Sequence, residues 1–196
     1  NLIPPHRVYI EPFFGSGAVF FAKEPAPHEI INDLDDRVVT FFRVLRDRPD
    51  ELERVCTLTP HARTEYLAAR AADDDADDLE VARRFWVSVN QSFAKTANAD
   101  TGWSVTVSRN SPVAASIFSR LGRFGPCAER LAQAAIENTD AVSLIDRFAV
   151  SDDTVVYADP PYVTSTRVGR KHRASDYAHE MTDDDHRELA RALKET

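Results

Sequence analysis

The sequence predicts an α/β fold of the doubly wound kind, and three observations predict it. A short β-rich run, Arg7-Val8-Tyr9-Ile10, passes through the glycine turn Phe14-Gly15-Ser16-Gly17 into Ala18-Val19-Phe20-Phe21-Ala22, which suits a helix. A second short strand fits Glu29-Ile30-Ile31 and ends at Asn32-Asp33. Much later, Thr154-Val155-Val156-Tyr157-Ala158 reads as a buried strand and runs directly into Asp159-Pro160-Pro161-Tyr162. Strand, glycine turn, helix, strand is how such sheets begin.

The middle of the chain has a different rhythm. Val38, Phe41, Phe42 and Leu45 recur at helical spacing, and Pro49 is expected to end that helix. Thr59-Pro60 reads as a helix start, with the threonine as cap and the proline in the first turn. Ala82, Phe85, Trp86, Val89 and Phe93 make another apolar helical stripe, expected to be core. From Asn90 to Pro112 the pattern dissolves into polar loop. Residues 36–132 are therefore expected to form a mostly helical insert, and residues 1–35 and 133–196 the α/β core. Within the core's second part, Ala135-Ile136-Glu137 is a short strand and Asp140 to Phe148 a helix. Thr182 and Asp185 suit a capping box opening a last helix from Asp183.

Composition narrows the class. The chain has 196 residues, 43% of them hydrophobic, enough for an ordinary core. No apolar run approaches the ~18 residues of a membrane span, and a soluble, cytoplasmic protein is expected. Cys56 and Cys127 lack metal-ligand spacing and read as ordinary buried thiols. The net charge of −8 speaks against a generally basic nucleic-acid binder, yet the run Asp73-Asp74-Asp75 with Asp77-Asp78 holds much of that excess. The absence of an initiating methionine and the last helix at the very end suggest a piece of a longer protein.

Asp159-Pro160-Pro161-Tyr162 falls beyond the carboxyl end of a strand, where open α/β sheets bind ligands. Two prolines stiffen the backbone and remove two amide donors, leaving carbonyls as acceptors. The amino group of adenine is a poor nucleophile, its lone pair delocalised into the ring. Two acceptors on its hydrogens, the Asp159 carboxylate and the Pro160 carbonyl, would favour a pyramidal nitrogen able to attack a sulfonium methyl. Tyr162 would stack on the base, which has to leave the duplex. A stiff turn is the structural alternative. Phe14-Gly15-Ser16-Gly17 with Asp33 suits adenosine recognition: the glycines let a ligand approach the backbone, and the acid holds ribose hydroxyls. Nicotinamide cofactors share that need, but the third glycine of their fingerprint is missing.

Taken together, Glu11-Pro12-Phe13-Phe14-Gly15-Ser16-Gly17, Asn32-Asp33-Leu34-Asp35 and Asp159-Pro160-Pro161-Tyr162 resemble the DNA adenine-N6 methyltransferases of the Dam type. Asn90-Gln91-Ser92-Phe93 adds a weaker likeness. The resemblance implies a Rossmann-like S-adenosylmethionine-dependent methyltransferase core, interrupted by a helical target-recognition insert. It implies that Glu11, Pro12, Phe13, Phe14, Gly15, Gly17 and Asp33 bind S-adenosylmethionine, and that Asp159, Pro160, Pro161 and Tyr162 are catalytic. Asn138, Thr139 and Asp140 resemble the segment lining the cofactor's adenine, although Thr139 or Asp140 equally suits a helix N-cap. The family's usual Gly-Gly-Lys segment upstream of the glycine motif is absent here.

Duplex DNA with a flipped adenine is the implied partner. Lys95, Asn98, Trp103 and Arg109 offer base-edge and phosphate contacts in the insert. Arg170, Lys171 and Arg173, in the basic stretch after the tetrad, suit phosphate contact, a lid over the base, or simply an exposed loop. No metal is expected from His179, His186 and their aspartates, which suit a helix's first turn. The alternatives are an amino-group methyltransferase acting on cytosine, RNA or a protein amide, a nicotinamide-dependent oxidoreductase, and a non-catalytic DNA-binding remnant. The recognition sequence, the oligomeric state and the setting (restriction–modification, regulation or phage) are not written in these motifs.

Overall fold

The computed structural model describes residues 3–71, 75–93, 102–104, 120–162 and 179–195. They fall into two compact units, residues 3–39, 133–162 and 179–195 forming one and 40–71, 75–93, 102–104 and 120–132 the other.

The first unit is built on one parallel sheet. Its strands are β1 (Val8–Glu11), β2 (His28–Asn32), β3 (Ala135–Glu137) and β4 (Thr154–Val156), in the order β3-β2-β1-β4. Ile10 lies between Ile30 of β2 and Val156 of β4, and Ile31 lies beside Ile136 of β3. The chain winds outward from β1 through β2 to β3 and then returns to the other side of β1 for β4. The order thus reverses between β1 and β4, and their carboxyl ends form the switch point of a Rossmann-like sheet. The predicted fold class holds.

Successive residues of β1 serve opposite faces of the sheet. Ile10 packs with Ile30 and with Leu144 of the helix Ala141–Phe148, while Val8, Phe148 and Val156 close around them. The same helix sets Ile145 against Leu189 and Ala192 of the last helix, Asp183–Glu195. Both helices begin on side-chain caps. Asp140 Oδ1 accepts from the backbone N–H groups of Val142 and Ser143, each at 3.0 Å. The predicted capping box is present: Thr182 Oγ1 accepts from the Asp185 N–H at 3.2 Å, and the Asp185 carboxylate accepts from that of Thr182 at 2.7 Å. The first crossover helix, α1 (Ala18–Ala22), joins β1 to β2.

The second unit is helical among its described residues. Helix α2 (Asp36–Asp47) runs into it, followed by α3 (Pro49–Leu58), α4 (Arg63–Ala69), α5 (Asp78–Gln91) and α6 (Phe124–Leu131). Leu52, Cys56, Tyr66, Ala82, Trp86 and Leu131 are buried in its core. Phe41 sets its ring 5.4 Å from that of Phe85 and 6.2 Å from that of Phe124. Arg83 binds Glu80 and Glu65 together, with its Nη1 also donating to Thr59 Oγ1 at 3.2 Å.

Several local expectations need correction. Pro49 follows the end of one helix and also opens the next, since a missing N–H costs nothing in a first turn. Thr59 closes α3 rather than starting α4: its hydroxyl donates back to the Val55 carbonyl at 2.7 Å, and α4 begins only at Arg63. The helix α5 continues through Asn90 and Gln91, which are buried, whereas Phe93 lies beyond it and is 77% exposed. β4 stops at Val156 and is half-buried rather than buried, because among the described strands it lies at the sheet's edge. Cys127 is likewise half-buried; Cys56 is buried, and burial pushes its thiol up to about 12. No described helix is long and apolar enough to cross a membrane.

Candidate cofactor and catalytic site

The glycine turn follows β1 and is held from below by aromatic rings. Phe14 is buried, with its ring 5.6 Å from that of Phe20 and 6.2 Å from that of Phe21. The Gly17 N–H donates to the Phe14 carbonyl at 2.7 Å, and the Gly17 carbonyl accepts from Phe21 at 2.9 Å, so the turn passes directly into α1. Gly15 and Gly17 have φ of 49° and 65°, a left-handed geometry that side chains resist. A methyl group placed on Gly15 would meet nothing within 4 Å, so open space adjoins that residue.

Asp33, one residue past β2, ties down the outer edge of this turn. Its carboxylate accepts from the Gly15 N–H at 2.8 Å and from the Asp35 N–H at 2.9 Å. Burial raises its carboxyl above the ordinary range, against the pull of those two donors. Asp35 behaves oppositely. Burial would raise it, but the Arg37 guanidinium, donating at 3.0 and 2.7 Å, holds it below the usual range.

The segment after β3 reaches the same place. Asn138 Nδ2 donates to the Asp33 carbonyl at 2.8 Å, and Thr139 exchanges bonds with the Asn32 side chain. Of the three residues expected near a cofactor's adenine, Asp140 is the helix cap. Glu11 and Pro12 are buried, and Phe13 is half-buried against the helix pair.

Beneath the turn lies a set of buried polar groups. The Tyr9 hydroxyl donates to Glu11 Oε2 at 2.7 Å, and the Lys23 ammonium stands 4.3 Å above the Tyr9 ring while pairing with Glu29. Tyr9, Glu11 and Glu29 are all buried. Burial pushes the Glu11 carboxyl up to about 7, against the pull of Tyr9 and Lys23 and with help from the Asp159 charge. Burial and the neighbouring Glu11 raise Tyr9 as well. Sequence reading did not single out Tyr9, Lys23 or Glu29; an acid in β2 next to an otherwise apolar run was the available signal.

The tetrad leaves the sheet beside the glycine turn. The Tyr157 N–H donates to the Ile10 carbonyl at 2.8 Å, extending the β1–β4 pairing to the strand ends. Asp159 is exposed, Pro160 and Pro161 are half-buried, and Tyr162 is 62% exposed. A carboxylate and a ring are thus presented at the switch point next to a left-handed glycine turn and an acid. This donor set fits an adenosine group carrying a reactive end.

In the second unit, Trp103 stacks on His61 at 5.0 Å, lies under Arg63 at 5.3 Å and donates Nε1 to Gln91 Oε1 at 3.4 Å. Lys95, Asn98, Arg109, Arg170, Lys171 and Arg173 lie outside the described residues.

Comparison with known proteins adds two findings. A family model described as D12 class N6 adenine-specific DNA methyltransferase matches residues 1–196. A curated relative, the Type II methyltransferase M1.LlaDCHI of Lactococcus lactis subsp. cremoris, is 38% identical over 72 residues, which is 34% of this chain and 24% of that protein. The match thus takes in about a quarter of the relative's length.

Proposed function

The chain belongs to the D12 class N6 adenine-specific DNA methyltransferases, and on that premise we propose that it carries the cofactor turn and catalytic tetrad of an enzyme methylating N6 of adenine in duplex DNA. The observation that carries this reading is the adjacency of β1 and β4. Their pairing, closed by the 2.8 Å bond from Tyr157 to Ile10, delivers turn and tetrad to one end of the sheet.

S-adenosylmethionine is the methyl donor; it supplies an electrophilic methyl on a sulfonium. Asp33 holds the ribose hydroxyls, Phe14, Gly15 and Gly17 shape the turn they rest against, and Asn138, Thr139 and Asp140 border the adenine. Glu11, Pro12 and Phe13, the first two buried, complete the cofactor-binding run that leads into the turn. Asp159 and the Pro160 carbonyl accept the two hydrogens of the substrate amine, with Pro161 fixing the turn. This grip draws the nitrogen lone pair out of conjugation and aims it at the methyl. Tyr162 stacks on the extruded base. The amine sheds one of its two protons to solvent after methyl transfer, not before.

Residues 1–35 and 133–196 then form the methyltransferase core and 36–132 the target-recognition insert. Lys95, Asn98 and Arg109 contact DNA from the insert, and Arg170, Lys171 and Arg173 bind phosphates after the tetrad. The relative's name, a Type II methyltransferase, supports a restriction–modification setting; the cytoplasm is the proposed location.

The test uses S-adenosylmethionine with a labelled methyl group and unmethylated duplex DNA, digested to nucleosides afterwards. Label is expected in N6-methyl-2′-deoxyadenosine and is expected to fall at least ~100-fold in Asp159→Ala, the order of effect of losing one preorganised electrostatic contact. Equal incorporation by the variant, or label in cytosine alone, would overturn the assignment.

A further inference from the structure

The Asn32 side chain makes three hydrogen bonds that join separate segments of the sheet's carboxyl end. Its Nδ2 donates to the Pro12 carbonyl at 2.9 Å, at the end of β1, and to the Thr139 carbonyl at 3.0 Å, after β3. Its Oδ1 accepts from the Thr139 N–H at 2.9 Å. The Asn32 backbone carbonyl also accepts from the Phe14 N–H at 2.8 Å, at the start of the glycine turn. The amide orientation is fixed by its partners, because two carbonyls can only accept and one N–H can only donate. The side chain is 2% exposed, so water cannot replace any of these bonds.

These contacts bracket the proposed cofactor site. Pro12 and Phe14 govern where the turn leaves β1, and Thr139 governs the segment assigned to the adenine. Asp33, assigned to the ribose, is the next residue in the chain. Asn138 braces the same corner from outside through the Asp33 carbonyl. No other polar side chain whose bonds are described reaches the ends of β1, β2 and β3 together.

We propose that Asn32 is a positioning residue for S-adenosylmethionine, setting the spacing between the glycine turn and the segment Asn138–Asp140, with Asn138 as its outer tie. It touches neither the methyl group nor DNA; its side chain acts through Pro12 and Thr139. This inference rests on the cofactor reading given under Proposed function. A buried side chain that uses both its N–H donors and its carbonyl oxygen to tie the end of β2 to Pro12 and Thr139 can be replaced without loss only if spacing is irrelevant to the ligand.

Asn32→Asp is the informative change. It keeps the volume and the acceptor for the Thr139 N–H, but sets a carboxylate against two carbonyl oxygens. The full chain and its Asn32→Asp, Asn138→Ala and Asp33→Ala variants are titrated calorimetrically with S-adenosylhomocysteine, after thermal melts establish that each is folded at the titration temperature. Asn32→Asp is expected to raise Kd roughly ten- to a hundredfold at unchanged stoichiometry, the scale seen when groups that orient ligating residues are removed. Asn138→Ala, on an exposed side chain, is expected to raise it several-fold and serves if Asn32→Asp does not fold. An unchanged Kd, or reduced stoichiometry at an unchanged Kd, would show a purely structural role and overturn the proposal. If Asp33→Ala also leaves Kd unchanged, the cofactor reading itself fails; if Asp33→Ala weakens binding and neither asparagine variant does, only the positioning role fails.

Discussion

The Gly15 N–H donates to the Asp33 carboxylate at 2.8 Å, across 18 residues of sequence. The acid at the end of β2 therefore does two things in one place: it fixes the left-handed turn and leaves carboxylate capacity for a ligand. A carboxylate needs several donors when partly buried, and one carboxylate offers about four lone-pair sites. Gly15 and Asp35 occupy two of them in the described structure.

That sharing predicts graded behaviour on substitution. Asp33→Ala removes both the proposed ligand contact and the two backbone anchors, and cofactor affinity should fall roughly 10- to 100-fold, the value of a charge-assisted hydrogen bond. Asp33→Asn keeps a carbonyl oxygen that one N–H can still use, and should lose less. Calorimetric titration with S-adenosylhomocysteine separates the cases; equal losses would mean that charge, not the turn anchor, accounts for the whole effect.

The two glycines of the turn should respond differently to the same change. Gly15 and Gly17 both have positive φ, so alanine strains the backbone at either by about 1 kcal/mol. At Gly17, however, a methyl group would fall 2.5 Å from Phe14 Cζ and 2.8 Å from Phe21 Cε2, inside a packed aromatic cluster. Overpacking adds roughly 1–3 kcal/mol. Gly17→Ala should therefore lower Tm clearly more than Gly15→Ala, whose backbone strain alone is worth about 2–4 °C, whereas Gly15→Ala should also weaken cofactor binding, since its methyl points into open space. Equal melting temperatures for the two variants would show that the aromatic rings yield at no cost.

What the sequence made legible follows from where the chemistry is local. A strand followed by glycines at left-handed positions, or the tetrad after an apolar run, announces itself within a few residues. Asp140 and Thr182 were readable as caps for the same reason, a side chain bonding its own helix. Thr59-Pro60 misled because a threonine can cap forward or bond backward, and the choice was made by α3, whose Val55 carbonyl lies one turn behind. Asn32 drew no separate notice because its partners Pro12 and Thr139 are 20 and 107 residues away. The partners Tyr9 of Glu11 and Lys23 of Glu29 were hidden likewise: an acid in a short apolar strand is a local signal, but its partner is not.

Glu11 lies in that set and gives the sharpest pH prediction. Burial raises its carboxyl from an ordinary 4.5 to about 7 in the folded protein. A folded-state value above the unfolded one means that folding favours the protonated acid. Its contribution to stability is thus complete below about 4.5 and is lost as pH rises through about 7. The side chain is 2% exposed, so the loss converts to something on the order of 3 kcal/mol. Glu11→Gln keeps an oxygen for the Tyr9 hydroxyl and removes the titration. Its Tm should match the parent at about pH 4.5 and exceed it by about 6–12 °C at pH 8, given ~2–4 °C per kcal/mol for a chain of this size. Every other ionisable group is common to both proteins, so the difference between their melting curves isolates this carboxyl. Melting curves that stay parallel from pH 4.5 to 8 would mean that Lys23 and Tyr9 offset the burial in full and that Glu11 is already ionised beneath the cofactor turn.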